Sequence, residues 1–153
     1  MFWTVGGLGL ATWSNIPVAL FGAAIVLITG LIAHRQLDAL LAGDDTAQSL
    51  GVDVGRLRTG MFLLSALATA ALVSLAGVIG FVGLMVPHLA RALVGVRHIA
   101  LVMTSALLGA IALLAGDLLS RTLMAPQELP VGIVTAAAGG AFVLGLVLRT
   151  SNS

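Results

Sequence analysis

No cysteine and no lysine occur among the 153 residues, and Asp, Glu and Arg together make up only 8% of them. The lack of cysteine rules out a disulfide framework and a thiolate metal site, and it leaves the redox compartment open. A soluble domain carries about 25% charged residues, so this chain has too few to cover a water-facing surface. Its seven basic residues are all arginine and the net charge is +1, which provides no basic face for nucleic acid. An N-terminal charged region leading to an apolar run and an A-x-A site is also missing, which argues against a cleaved signal peptide. There is no H-x-x-x-H or H-E pair, so a metal site has no support. Gly6-Gly-Leu-Gly-Leu-Ala11 follows no strand pattern and opens no βαβ unit, which removes the dinucleotide reading. A G-x-x-x-x-G-K-[ST] loop is absent too, so ATP hydrolysis is expected only in another chain.

Hydrophobic residues account for 59% of the chain and are laid out in segments. About 20 apolar residues span a hydrocarbon core of about 30 Å as helix. Segments 16–33, 57–77 and 99–119 meet that length, 131–148 is slightly short but uncharged, and 80–94 is ambiguous. Arginine placement resolves it. If 80–94 crosses, Arg35, Arg56, Arg58, Arg91, Arg97 and Arg149 share one side and only Arg121 takes the other. If it does not cross, the split is four against three. The positive-inside rule favours five spans, with the 34–57 and 92–98 loops and the C-terminus in the cytoplasm. The expected class is therefore an all-α integral membrane protein of about five helices, one of them short and interrupted by Gly and Pro. Residues 1–15 then lie outside, where Trp3 and Trp13 suit an interfacial belt. An odd number of spans starting outside resembles the C-terminal half of a chain about twice as long.

The 77–91 stretch combines a span's apolarity with Gly77, Gly80, Gly83, Pro87, His88 and Arg91. Irregular backbone at membrane depth survives only inside protein or beside a water-filled path, which points to transport rather than anchoring. Pro87 and His88 are expected to break or bend this segment within protein. The three glycines permit close helix contact, backbone irregularity or gating. A Gly132, Ala136, Gly140 row on the last span reads as packing.

The one long polar segment, 35–58, reads as two short helices. The first, 36–42, stops at Gly43. The second is capped by Asp44, favoured by the charge of Asp45, and closed by Gly51. Leu37, Leu40, Leu41, Ala47 and Leu50 leave apolar surface on helices too short to be stable alone. They pack either on their own bundle or on a soluble partner, and physics alone leaves both open.

Three motifs now stand in order along the chain: Gly43-Asp-Asp-Thr-Ala-Gln-Ser-Leu-Gly-Val52, Gly80-Phe-Val-Gly-Leu-Met-Val-Pro-His-Leu-Ala-Arg91 and Ala125-Pro-Gln-Glu-Leu-Pro-Val-Gly-Ile-Val-Thr-Ala136. Together with Phe2-Trp-Thr-Val-Gly-Gly-Leu8 and Asp117-Leu-Leu-Ser-Arg-Thr-Leu123, they resemble the membrane permease of type II ABC importers for ferric siderophores, haem and vitamin B12. The resemblance runs nearly end to end, although the family usually has proline where Ala141 stands and a bulky residue at Gly145. It implies a ten-span permease forming a two-subunit pore in the bacterial plasma membrane, of which this chain looks like the C-terminal half. It further implies separate ATPase subunits that bind ATP and Mg, an extracytoplasmic binding protein and a second permease subunit.

On this resemblance the 36–56 segment is the loop that docks the ATPase, through Leu40, Leu41, Gly43, Asp44, Asp45, Thr46, Ala47, Leu50 and Gly51, and a cysteine at Ala47 is expected to crosslink to it. Arg121, with Glu128 nearby, becomes the candidate contact for the binding protein. Asp117, four residues before Arg121, shares its helix face and is expected to pair with it within the chain. Gly77, Gly80, Gly83, Pro87, His88, Arg91 and Asp117 are structural or gating candidates. The rival class is an ion-coupled secondary transporter, which would need ionisable residues near mid-span. Only Asp117 comes close.

Overall fold

A computed structural model describes residues 6, 7, 9, 12–122 and 131–151, and every regular element among them is helical. A 3-10 turn at Trp13–Asn15 leads into α1 (Ile16–Leu40), followed by α2 (Asp44–Ser49), α3 (Val54–Ala76), α4 (Val82–Val94), α5 (His98–Thr122) and α6 (Val131–Ser151). The Trp13–Leu40, Val54–Ala76 and His98–Thr122 stretches are long and apolar enough to cross a membrane, while Val82–Val94 and Val131–Gly145 are shorter apolar helices. Pro17 lies in the first turn of α1, where its missing N–H would have had no helical partner.

Long-range contacts fix the packing. Gly22 near the start of α1 faces Leu72 near the end of α3, and Gly30 further along α1 faces Val102 near the start of α5. Gly116 late in α5 faces Val131 and Thr135 at the start of α6. Helix α1 therefore runs antiparallel to both α3 and α5, and α6 runs antiparallel to α5. Helix α5 is the hub, touching α1, α4 and α6, while α3 lies on α1 and α4 also reaches α6.

The buried apolar residues are mostly small, among them Ala33, Ala68 and Ala90, while Leu20, Phe21, Ile32, Phe62, Leu63 and Leu107 are exposed. Lipid tails are as apolar as leucine, so helices associate by close approach at small residues rather than by hiding apolar surface from water. A Cβ added at Gly22 would sit 3.0 Å from Leu72, and one at Gly30 would sit 3.1 Å from Val102.

Four expectations are corrected. The 36–42 helix is not separate, because α1 continues without a break from Ile16 to Leu40. No glycine or proline intervenes between the span and the loop to stop it. Pro87 and His88 do not break α4, which runs through both. At about 1.5 Å per residue, its 13 residues reach only about 20 Å, so irregular residues 77–81 take up the rest of the distance. The His88 face is exposed rather than buried, and only Val86 and Ala90 are buried on this helix. On α6 Val131, Gly132, Thr135 and Gly139 are buried, so of the Gly132, Ala136, Gly140 row only Gly132 is fully buried and Ala136 and Gly140 are half-buried. Each single step rotates a residue by about 100°, and a run of small residues does not say which row faces in.

Candidate functional site: the two ends of the bundle

Antiparallel packing sorts the polar residues to two ends. Arg35, Arg56, Arg58, Arg91, Arg97 and Arg149 lie toward the end holding α2, whereas Arg121 lies toward the opposite end.

At the α2 end the chain leaves α1 through two successive turns and passes Gly43, whose φ of 101° favours glycine. Gly43 itself, not Asp44, is the N-cap of α2, and Asp44 and Asp45 occupy the first turn. Asp44 is directed elsewhere: its Oδ1 accepts from Arg58 Nη2 at 2.9 Å and ties α2 to α3. Gly51, at φ 85°, closes α2 by donating to the Gln48 carbonyl at 2.9 Å. Asp53 then caps α3, accepting from the Arg56 backbone N–H at 3.0 Å.

The loop's apolar residues divide into two sets. Ala47 has 0% exposure and packs the loop against the bundle, so its methyl is unavailable to any partner. Leu41 and Leu50 remain 54% and 68% exposed, with Asp45 and Thr46 exposed between them. Leu40 is half-buried.

Sequence reasoning missed a bond beneath this loop. Asp38, in the last turns of α1 beyond the 16–33 segment, accepts from the His98 backbone N–H at 2.8 Å and pairs with His98 Nδ1 at 2.7 Å through the same Oδ1. The carboxylate thus caps α5, where a helix N-terminus favours negative charge. The His98 backbone hydrogen bond, followed by the ring contact, holds the Asp38 carboxyl below its ordinary value. A pair 60 residues apart leaves no local signal in the sequence.

At the other end Arg121 forks onto Asp117, with Nε to Oδ2 at 2.9 Å and Nη2 to Oδ1 at 3.3 Å. The expected i,i+4 pairing is present. Arg121 keeps 47% of its side chain exposed, while Asp117 keeps 21%. Glu128 lies outside the described residues. Gly6 crosses here in extended contact. It donates to the Val78 carbonyl at 3.0 Å, and its own carbonyl accepts from the Gly132 N–H at 2.9 Å, satisfying a donor at the start of α6. A Cβ at Gly6 would meet the Val78 oxygen at 2.5 Å.

Of the glycines in the 77–91 stretch, Gly77 caps α3 at φ 69°, whereas Gly80 and Gly83 face open space and mediate no close contact. Phe81, a bulky residue at φ 64°, starts α4. Its Cβ lies 2.1 Å from where a Cβ on Gly139 would stand, so the aromatic ring is seated over that glycine. Beside it an open apolar hollow of about 550 Å³ is lined by Val78, Gly80, Phe81, Gly132, Ile133, Ala136 and Ala137. His88 meets Phe142 edge-on, with ring centroids 5.9 Å apart. Arg91 sits exposed in the last turn of α4. Among the described residues, no group of three or more His, Asp or Glu could hold a metal ion.

Three helices long and apolar enough to cross a membrane, small-residue packing and polar groups sorted to two ends define a polytopic α-helical membrane protein. Residues 1–149 match the model of the FecCD transport family, and the chain belongs to that family. It is 46% identical over 147 residues to the hemin transport system permease protein HmuU of Yersinia pestis, covering 96% of this chain and 44% of the relative. With the ferric enterobactin transport system permease protein FepG of Escherichia coli it shares 39% identity, covering 98% of this chain and 45% of the relative. With the cobalamin import system permease protein BtuC of Halobacterium salinarum it shares 41%, covering 96% and 39%. A solved structure described as an inward-facing conformation of a metal-chelate type ABC transporter superposes with a TM-score of 0.82 at 33% identity, covering 96% of this chain and 47% of that one. The chain therefore spans under half the length of the relatives it matches.

Proposed function

We propose that this chain is part of the pore-forming permease of an ATP-driven importer that carries an iron-siderophore, haem or cobalamin-type chelate into the cytoplasm. The observation that carries the reading is the 36–56 loop. Its helix α2 is braced by the Asp44–Arg58 pair and by buried Ala47, yet the flanking Leu41 and Leu50 stay exposed at the end where all arginines but Arg121 lie. Exposed leucines on either side of a six-residue helix among charges make sense if a soluble subunit covers them. The positive-inside rule assigns this end to the cytoplasm, where an ATPase would work.

In this mechanism the ATPase subunits bind ATP and Mg, and their closure levers the loop. The bundle carries that displacement to the outer end, where an extracytoplasmic binding protein docks on Arg121. The Asp117 fork holds the guanidinium in one orientation, which favours planar recognition of a carboxylate. A second permease subunit completes the pore in the bacterial plasma membrane, and this chain itself is not an enzyme. Relatives named for hemin, ferric enterobactin and cobalamin support a metal-chelate substrate class. Ion coupling through Asp117 is disfavoured, because its carboxylate is engaged by Arg121 near the end of α5.

The test uses the natural absence of cysteine. Thr46→Cys on the exposed face should crosslink to the ATPase subunit in membranes holding the whole transporter. Ala47→Cys, buried beside it, should not. Crosslinking confined to the permease would remove the coupling reading.

A further inference from the structure

The Asp38–His98 contact has no part in the loop's apolar face, yet it is the only hydrogen-bonded link, among the described residues, between the end of α1 and the start of α5. We propose that Asp38 is a positioning residue that delivers displacement of the 36–56 loop to α5, and through α5 to the Arg121 end. The inference rests on the coupling reading of that loop and adds a route to it.

The geometry supplies three consecutive connections. Asp38 sits two residues before the end of α1, which leads directly into the turn carrying Leu41 and Gly43. One carboxylate oxygen then grips the first residue of α5 twice, through the backbone N–H at 2.8 Å and the ring nitrogen at 2.7 Å. Both side chains are largely shielded, with 32% of Asp38 and 21% of His98 exposed. Helix α5 is 25 residues long, about 38 Å at 1.5 Å per residue, and carries the Asp117–Arg121 fork in its last turns. A carboxylate holding a helix by its backbone N–H moves the whole helix, because that N–H cannot rotate away as a side chain can. The link also has a direction: packing of Gly30 against Val102 sets the helices' spacing beside it, so the carboxylate governs axial displacement. Loss of the link would leave α5 packed but no longer driven.

The experiment reads the ratio of chelate moved to ATP hydrolysed, in proteoliposomes containing the assembled transporter and its loaded binding protein. This ratio is independent of the fraction of molecules that fold, since inactive molecules contribute to neither term. Asp38→Ala should lower it about tenfold, within the usual range of coupling between sites. Asp38→Asn keeps an oxygen for the His98 N–H and should lower it less. An unchanged ratio in Asp38→Ala overturns the inference. Should that variant fail to assemble, Asp38→Leu keeps side-chain bulk while removing both bonds to His98, and an unchanged ratio in Asp38→Leu overturns it equally. The Thr46→Cys crosslink, run in parallel, separates the two ideas. With the crosslink present and the ratio unchanged, only the Asp38 route falls; with no crosslink in otherwise unaltered transporter, the loop reading falls too.

Discussion

Two adjacent glycines on α6 should respond to the same substitution with opposite signs. A Cβ on Gly139 would stand 2.1 Å from Phe81 Cβ and 2.6 Å from its Cγ, whereas a Cβ on Gly140 would meet nothing within 4 Å. Replacing glycine by alanine inside a helix gains about 0.5–1 kcal/mol from backbone entropy. Overpacking a tight contact costs about 1–3 kcal/mol. At Gly139 the clash falls near the root of the Phe81 side chain, so no tip rotation relieves it, and Phe81 is already at φ 64°. The upper part of the overpacking range applies, and Gly139→Ala should be net destabilising by about 2 kcal/mol. Gly140→Ala should be neutral or stabilising. The assay is the thermal unfolding midpoint of the purified permease in detergent. Phe81→Gly relieves both the clash and the positive φ, so it should restore Gly139→Ala toward the parent. If both alanine variants shift alike, or if Phe81→Gly fails to rescue, the seating of Phe81 over Gly139 is wrong.

The Asp38 carboxyl is held below its ordinary value, so its contribution to stability is present above the unfolded carboxylate pKa and fades as pH falls through the lower folded value. Thermal scans from pH 7 down to pH 3 should show an acid limb that Asp38→Asn flattens; an unchanged limb would deny the bond its role. Gly6→Ala should destabilise by about 1–3 kcal/mol, because the added Cβ would meet a backbone oxygen at 2.5 Å, and thermal unfolding measures it directly. Arg121→Ala should weaken binding-protein affinity more at low than at high salt, since the contact is partly exposed and screened; titration at two ionic strengths checks this.

Much of the architecture was legible because lipid imposes simple rules. Apolar length marked the long helices, and the arginine asymmetry assigned 80–94 as an additional segment that the structure forms as α4. The i,i+4 relation of Asp117 and Arg121 was readable for the same reason, since helix geometry alone brings them together. Less was legible where the answer depended on a distant neighbour. Nothing near Gly6 indicates that Val78 and Gly132 will meet it, and nothing near Asp38 indicates His98. The 36–42 segment is polar enough to suggest a break, although Gln36 and Asp38 sit comfortably in the last turns of a continuing helix. Ala47 packs inward, which the sequence leaves open because a small residue on a short helix fits either face. Ala141 is exposed and Gly145 faces open space, so these two departures from the family pattern disturb no packing in the described bundle.

Energy source is the measurement that bears most directly on function. Proteoliposomes holding the assembled transporter would be offered labelled haem, ferric siderophore or cobalamin with its binding protein. Accumulation of one of these chelates that requires ATP and survives collapse of proton and sodium gradients is the predicted result. Accumulation driven by an ion gradient without ATP would contradict the account.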